Sequence, residues 1–319
     1  MKMAFLVYDA RSGSTLLAAM LNRISGIKVM PETNFPSRIL DRGKKIFSDA
    51  NEAINFLKME PHFIESGIDC EELALKLRNE KKELNAKIII ENVIATYFND
   101  EIKKNNSVAV IKCGEAIFHM ETLQCYFPHA HFIHIYRDGR AVCASKIKTL
   151  SSWGRPFCNN IISNALNWKK RIEITDGFTG NMISVKYEDL VQKPNYVIEY
   201  ICEQLHLPKQ ARQLCKDYNT YLKSIGKRQQ HLHYNIGTPD PKKINQWKNY
   251  LSWKEIAIYE NIARRELISK GYAIGDRADW SYFKYIKYMY FYLVSIIEFI
   301  FHILRSYLLN FQDAGAHWK

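Results

Sequence analysis

Apolar residues gather along the chain into short runs separated by stretches where they recur every three or four positions. Six runs rich in Val and Ile predict strands: Lys2–Tyr8, Ile27–Met30, Lys87–Ile90, Val108–Lys112, His131–Tyr136 and Met182–Lys186. The stretches between them predict helices over Ser14–Arg23, Phe35–Phe47, Glu91–Lys104, Ala116–Tyr126, Gly139–Thr149, Ile161–Thr175, Leu190–Leu205, Pro208–Tyr218 and Trp253–Ser269. Strands alternating with helices imply an α/β fold, a parallel sheet flanked by helices on both faces.

In such a sheet ligands sit beyond the carboxyl ends of the strands. Ala10-Arg11-Ser12-Gly13-Ser14-Thr15 follows the first strand and opens a helix. Unpaired N–H groups in the first helical turn and the helix dipole suit an anion. Gly13 lets backbone approach it, and Ser14 and Thr15 add hydroxyl donors. The same residues also fit an ordinary strand-to-helix turn. No Lys precedes Ser14, so the turn lacks the lysine of a nucleotide-hydrolysing P-loop.

Four further strand ends carry similar chemistry: Pro31-Glu32-Thr33, then Lys112, then Arg137-Asp138-Gly139-Arg140 with Ser145 on the next helix, then Tyr187-Glu188-Asp189. Of the six predicted strands, all but one end in charged or hydroxyl residues fit for an anionic ligand. Each residue has a plainer role as well. Glu32 could be a helix N-terminal acid, Lys112 a snorkelling strand end, and Ser145 a helical serine. Asp138 is expected to cap the helix that follows, leaving Arg137 to a ligand.

The chain has 319 residues and is 47% hydrophobic, enough for a full core, with no linker-like or low-complexity tract. Its formal net charge of +12 suits polyanions, but the basic residues are scattered and no nucleic-acid-binding signature occurs. Seven cysteines without a C-x-x-C spacing point to reduced thiols and a cytoplasmic setting. His129, His131 and His134 cluster without Cys or acidic partners, so no metal is expected.

Three stretches together resemble the PAPS-dependent sulfotransferase family (PAPS is 3′-phosphoadenosine 5′-phosphosulfate). They are Arg11-Ser-Gly-Ser-Thr-Leu-Leu, Tyr136-Arg-Asp-Gly-Arg-Ala-Val with Ser145, and Lys186-Tyr-Glu-Asp-Leu. Met30-Pro-Glu-Thr-Asn-Phe-Pro-Ser-Arg-Ile-Leu is most similar to the tyrosylprotein sulfotransferase branch. The resemblance spans roughly residues 3–275 and implies a P-loop-like fold that transfers a sulfonate from PAPS to an acceptor hydroxyl. It implies that Arg11, Ser12, Gly13, Ser14, Thr15 and Leu16 wrap the 5′-phosphosulfate. Arg137 and Ser145 would hold the 3′-phosphate, and Tyr187 would place the nucleotide. Glu32 would be the general base, and Lys112 would steady the sulfonate and the leaving oxygen.

The pattern departs from that branch in places. Lys112-Cys113-Gly114 stands where the branch has Lys-Asp-Pro, and Gln246 precedes Trp247 where it has Lys, with Lys243 near enough to substitute. A membrane anchor and disulfides are missing too, which fits a bacterial-type cytoplasmic enzyme better than a Golgi one. The acceptor is expected to be a small-molecule or lipid-linked hydroxyl, walled by residues 33–85 and 149–165.

The predicted organisation is a sulfotransferase domain over 1–280 and an appendage over 281–319. Within 282–311, Lys284, Lys287, Ser295, Glu298, His302 and Arg305 fall within about 80° of one another on a helical wheel; the rest is aromatic or aliphatic. This amphipathic helix could lie in a membrane interface, pack on the body or a second copy, or span a bilayer. The first reading would place the protein peripherally on the inner face of the membrane. Two rival functions remain at this point: a P-loop-like phosphotransferase, and a membrane-bound nucleotide-binding protein without chemistry.

Overall fold

The computed structural model describes residues 2–42, 46–98, 107–149, 157, 160–215, 218–225, 239–275, 288–294, 296–297 and 300. Met1–Arg137 with Ile174–Pro241 form one compact unit, and Asp138–Glu173 with Lys242–Lys319 form a second.

The first unit is built on strands β1 (Lys2–Tyr8), β2 (Ile27–Met30), β3 (Val108–Lys112), β4 (His131–Tyr136) and β5 (Met182–Lys186), all parallel, in the order β2-β3-β1-β4-β5. These are five of the six expected strands, at the expected boundaries. β1 is buried on both faces, which is why it reads as an unbroken apolar run. Met3, Phe5 and Val7 enter one core; Ala4, Leu6 and Tyr8 enter the other. Helix α1 (Ser14–Asn22) packs on the second core. Helices α2 (Phe35–Asp41), α3 (Ala50–Lys58), α4 (Pro61–Glu65), α5 (Cys70–Arg78) and α6 (Ala86–Phe98) contribute to the first.

The sixth expected strand, Lys87–Ile90, is instead the first half of α6. Ile88, Ile89 and Ile90 are all buried, and a short continuous apolar run does not distinguish a strand from a buried helix. Asn85 decides locally: its side-chain oxygen accepts from the Ile88 N–H at 3.1 Å, and its carbonyl accepts from Ile89 at 3.0 Å. This was also the one predicted strand end without ligand chemistry.

Other predicted helices are broken where the backbone requires it. The stretch expected to be helical over Ala116–Tyr126 is a 3₁₀ turn (Gly114–His119) followed by α7 (Met120–Tyr126). After α8 (Gly139–Lys148) and α9 (Ile161–Gly177), the expected helix Leu190–Leu205 is divided. It forms α10 (Tyr187–Gln192) and α11 (Pro194–Gln204), because Pro194 cannot continue a helix and begins the next. Among the described residues of Pro208–Tyr218 there is a 3₁₀ turn at Lys209–Arg212, before α12 (Tyr218–Ser224).

In the second unit α13 (Trp253–Ile262) and α14 (Arg264–Ser269) divide the expected Trp253–Ser269 helix at Ala263. Asp138 caps α8 as expected, accepting from the Arg140 N–H at 2.9 Å. The Arg140 guanidinium then grips Asp138 through both oxygens at 3.0 and 2.7 Å, and Glu260 of α13 at 2.6 Å. It also stacks 4.4 Å from the Trp247 ring centre.

The polar residues of the amphipathic stripe in 282–311 lie outside the described residues. Among the described residues no helix is long and apolar enough to cross a membrane.

Candidate active site

The strand order places a topological switch at β1. The chain leaves β1 toward β2 and later leaves β4 toward β5, so the connections after β1 and β4 diverge. A crevice at the carboxyl ends of such strands is where open α/β sheets hold ligands.

The turn after β1 is shaped for close approach. Gly13 sits at φ 93° and Arg11 at φ 73°, both left-handed. A Cβ on Gly13 would stand 2.3 Å from the Tyr187 ring, so only glycine fits. No side chain caps α1, and its first turn carries no acidic residue. Ser12, 1% exposed, has a hydroxyl without a hydrogen-bond partner among the described residues. Ser14 and Thr15 are buried, and Leu16 is half-buried beside them.

Arg137 comes from the end of β4. Its Nη1 donates to the Arg11 carbonyl at 3.4 Å, and its guanidinium lies 4.4 Å from the Tyr187 ring centre. Burial, and then the like charge of Arg137, hold the Arg11 pKa below its ordinary value. Burial pushes the Tyr187 hydroxyl up. Two repelling guanidinium groups, an uncapped helix start and an orphaned hydroxyl make a cradle that an anion would satisfy. The residues present therefore fit a phosphate-bearing cofactor.

Lys112 joins this cradle to Glu32. It is fully buried, and its Nζ donates to Thr15 Oγ1 at 3.0 Å and to Glu32 Oε2 at 2.6 Å, with the Tyr8 ring centre 5.5 Å away. A buried ammonium needs such partners; stripping one from a buried pair costs about 3–5 kcal/mol. Glu32 remains 28% exposed, so its carboxylate can meet a substrate. The loop carrying it is tied to β3 by a Thr33 N–H bond to the Lys112 carbonyl at 3.2 Å. The register pairs Leu6 with Lys112, which sets Tyr8 beyond the end of β3 and beside this cluster.

The first unit thus brings together Arg11–Leu16, Glu32, Lys112, Arg137 and Tyr187. Ser145, on α8, and Lys243, exposed in a 3₁₀ turn at Pro241–Lys243, belong to the second unit. Tyr8 and Glu60 escaped the sequence reading. Tyr8 closes the apolar run of β1 like any core residue, yet burial and then the Glu32 charge raise its pKa well above the ordinary value. Glu60 lies between two short helices, where nothing in the local pattern marks it. Among the described residues no cluster of His, Cys, Asp and Glu could hold a metal ion.

The sequence matches no curated protein. The structure is similar to the sulfotransferase domain of the Synechococcus PCC 7002 olefin synthase: TM-score 0.57, 18% identity, 86% of this chain and 96% of that one. It is also similar to the sulfotransferase domain from the curacin biosynthetic pathway: TM-score 0.53, 17% identity, 86% of this chain and 99% of that one. These likenesses speak for the fold, a parallel sheet flanked by helices. A model of the sulfotransferase family matches residues 5–211, a span that holds the Arg11 turn, Glu32, Lys112, Arg137 and Tyr187. On that match the chain belongs to the sulfotransferase family and is an enzyme that transfers a sulfonate group.

Proposed function

We propose that the donor is PAPS, that the acceptor is a hydroxyl on a small or lipid-linked molecule, and that Glu32 is the general base. The observation that carries this reading is the single ammonium of Lys112 hydrogen-bonded to both Thr15 and Glu32. It links the phosphate cradle to a carboxylate exposed enough to meet a nucleophile. PAPS, when bound, supplies a sulfonate on a phosphate leaving group. Arg11, Ser12, Gly13, Ser14, Thr15 and Leu16 bind its 5′ end through backbone N–H groups and hydroxyls, as does the helix dipole. Arg137 meets the 3′-phosphate, and Tyr187 closes the turn from β5. Ser145 and Lys243 keep the assignments of the family resemblance, the 3′-phosphate and the late covering segment.

Glu32 draws the proton from the acceptor oxygen, and the Lys112 charge keeps that carboxylate ionised and oriented. The tyrosylprotein branch enters this reading only through the Met30–Leu40 stretch, so a protein tyrosine is one acceptor among hydroxyls to be tried.

The test is calorimetric binding of 3′-phosphoadenosine 5′-phosphate (PAP), the expected product, against AMP, on wild type, Arg137→Ala and Glu32→Gln. Binding that requires both the 3′-phosphate and Arg137, and survives Glu32→Gln, is the expected outcome. Equal affinity for AMP would remove PAPS from the reading.

We infer in addition that the C-terminal segment rests on an anionic bilayer. Tyr290, Leu293, Ile297 and Ile300 are each at least half exposed, and they recur at helical spacing along one face. A chain of net charge +12 supplies the matching electrostatics. Free thiols at Cys70, Cys113, Cys125, Cys143, Cys202 and Cys215 favour the cytoplasmic side.

A further inference from the structure

Glu60 is a buried carboxylate, 5% exposed, between α3 and α4. Its own backbone is held from both sides. Its N–H donates to the Leu57 carbonyl at 3.1 Å, and its carbonyl accepts from Phe63 and Ile64 at 3.0 and 3.2 Å. Pro61 further confines it to an extended conformation. From this rigid corner Oε1 accepts the Asn34 N–H at 2.6 Å. Oε2 is buried and has no hydrogen-bond partner among the described residues. A half-satisfied buried carboxylate is costly, and an amide side chain could accept the same N–H at less cost. Its position therefore calls for a reason.

Asn34 ends the Pro31–Asn34 loop that carries Glu32. We propose that Glu60 is a positioning residue for Glu32. It pins the far end of the base's loop through the Asn34 N–H, and so fixes where the Glu32 carboxylate can meet the acceptor hydroxyl. This inference rests on the reading of Glu32 as the base. The loop is held at its middle by the Thr33 bond to Lys112. Asn34 Oδ1 meets Cys113 Sγ at 3.8 Å, which meets Ser37 Oγ at 3.3 Å, but those are weak sulfur contacts. The Glu60 bond is the short, charge-assisted one.

The electrostatics run the same way. Glu60 is itself pushed up by burial, against the pull of the Asn34 N–H and of Arg38. The Glu32 charge raises it further, so the two carboxylates sense each other. Lys112, Arg11, Tyr8 and Tyr221 also face Glu32, while Arg38 and Cys113 face Glu60.

The test measures sulfonate transfer against pH, and PAP affinity, for wild type, Glu60→Gln, Glu60→Ala and Glu32→Gln, with melting curves for each. Glu60→Gln keeps an acceptor for Asn34, so kcat stays within about threefold of wild type and the acid limb of its pH profile does not move. Glu60→Ala loses the tether: kcat falls about 10- to 100-fold with PAP affinity unchanged, as for a misplaced catalytic group. A kcat in Glu60→Gln as low as in Glu60→Ala, or wild-type kcat in a folded Glu60→Ala, overturns the proposal. So does a PAP affinity that falls together with kcat. Undiminished turnover in Glu32→Gln instead overturns the base assignment beneath it.

Discussion

Gly13 carries more of the site than its size suggests. It stands at φ 93°, and a Cβ would lie 2.3 Å from Cδ2 and 2.7 Å from Cε2 of the Tyr187 ring. Gly13→Ala therefore has two faults, a left-handed backbone that costs about 1–2 kcal/mol for an L-residue and a collision with an aromatic ring. The expected result is loss of PAP binding with a folded protein. Tyr187→Ala in the same chain removes the collision but not the strain, and recovers binding only in part. Full recovery in calorimetry would show that the left-handed turn is dispensable. The turn was legible in sequence as a small-residue connection from strand to helix, with Gly13 where the backbone turns left-handed. Glu32 and Lys112 were legible as strand-end residues, but their hydrogen bond joins positions far apart in sequence, and no local pattern encodes it. Glu60 was illegible for the same reason, since its partner N–H belongs to a loop that only the fold brings near.

At the level of elements, strands were read more faithfully than helices. The five observed strands are short, Val- and Ile-rich and bounded by turn chemistry, and those properties are local. Helix α6 was misread because Ile88, Ile89 and Ile90 favour strands intrinsically while burial on several sides removes any periodicity. Its start depends on Asn85, half-buried, whose side chain accepts the Ile88 N–H at 3.1 Å. Asn85→Ala is expected to cost about 1 kcal/mol, the worth of an N-cap, lowering the melting temperature by about 1–2 °C in a protein of this size. Asn85→Asp should retain most of it. Equal melting curves for all three proteins would mean that α6 is held by packing alone. Helices that continue past a proline or a single irregular residue are equally hard to bound from sequence, as the breaks at Pro194 and Ala263 illustrate.

For the molecule as a whole, the proposed bilayer contact joins charge to an exposed apolar face: a net charge of +12 for anionic surfaces, and Tyr290, Leu293, Ile297 and Ile300 for the apolar contact. Flotation with phosphatidylglycerol vesicles should carry the full-length protein, and phosphatidylcholine vesicles should not. Leu293→Glu with Ile297→Glu should leave it at the bottom of the gradient. A protein that stays down with both lipids but runs as a dimer that this double substitution dissociates would assign the face to a second copy. The two units also share the chain unevenly, since it passes between them after Arg137, after Glu173 and again after Pro241. Tyr187, the ring that walls Gly13, is accordingly joined to the nascent chain about 170 residues after the turn it closes. At ordinary elongation rates this takes roughly 10 to 35 s. During that time the growing polypeptide carries the Arg11 turn without the ring that walls Gly13, so the proposed site is complete only once the last strand has emerged.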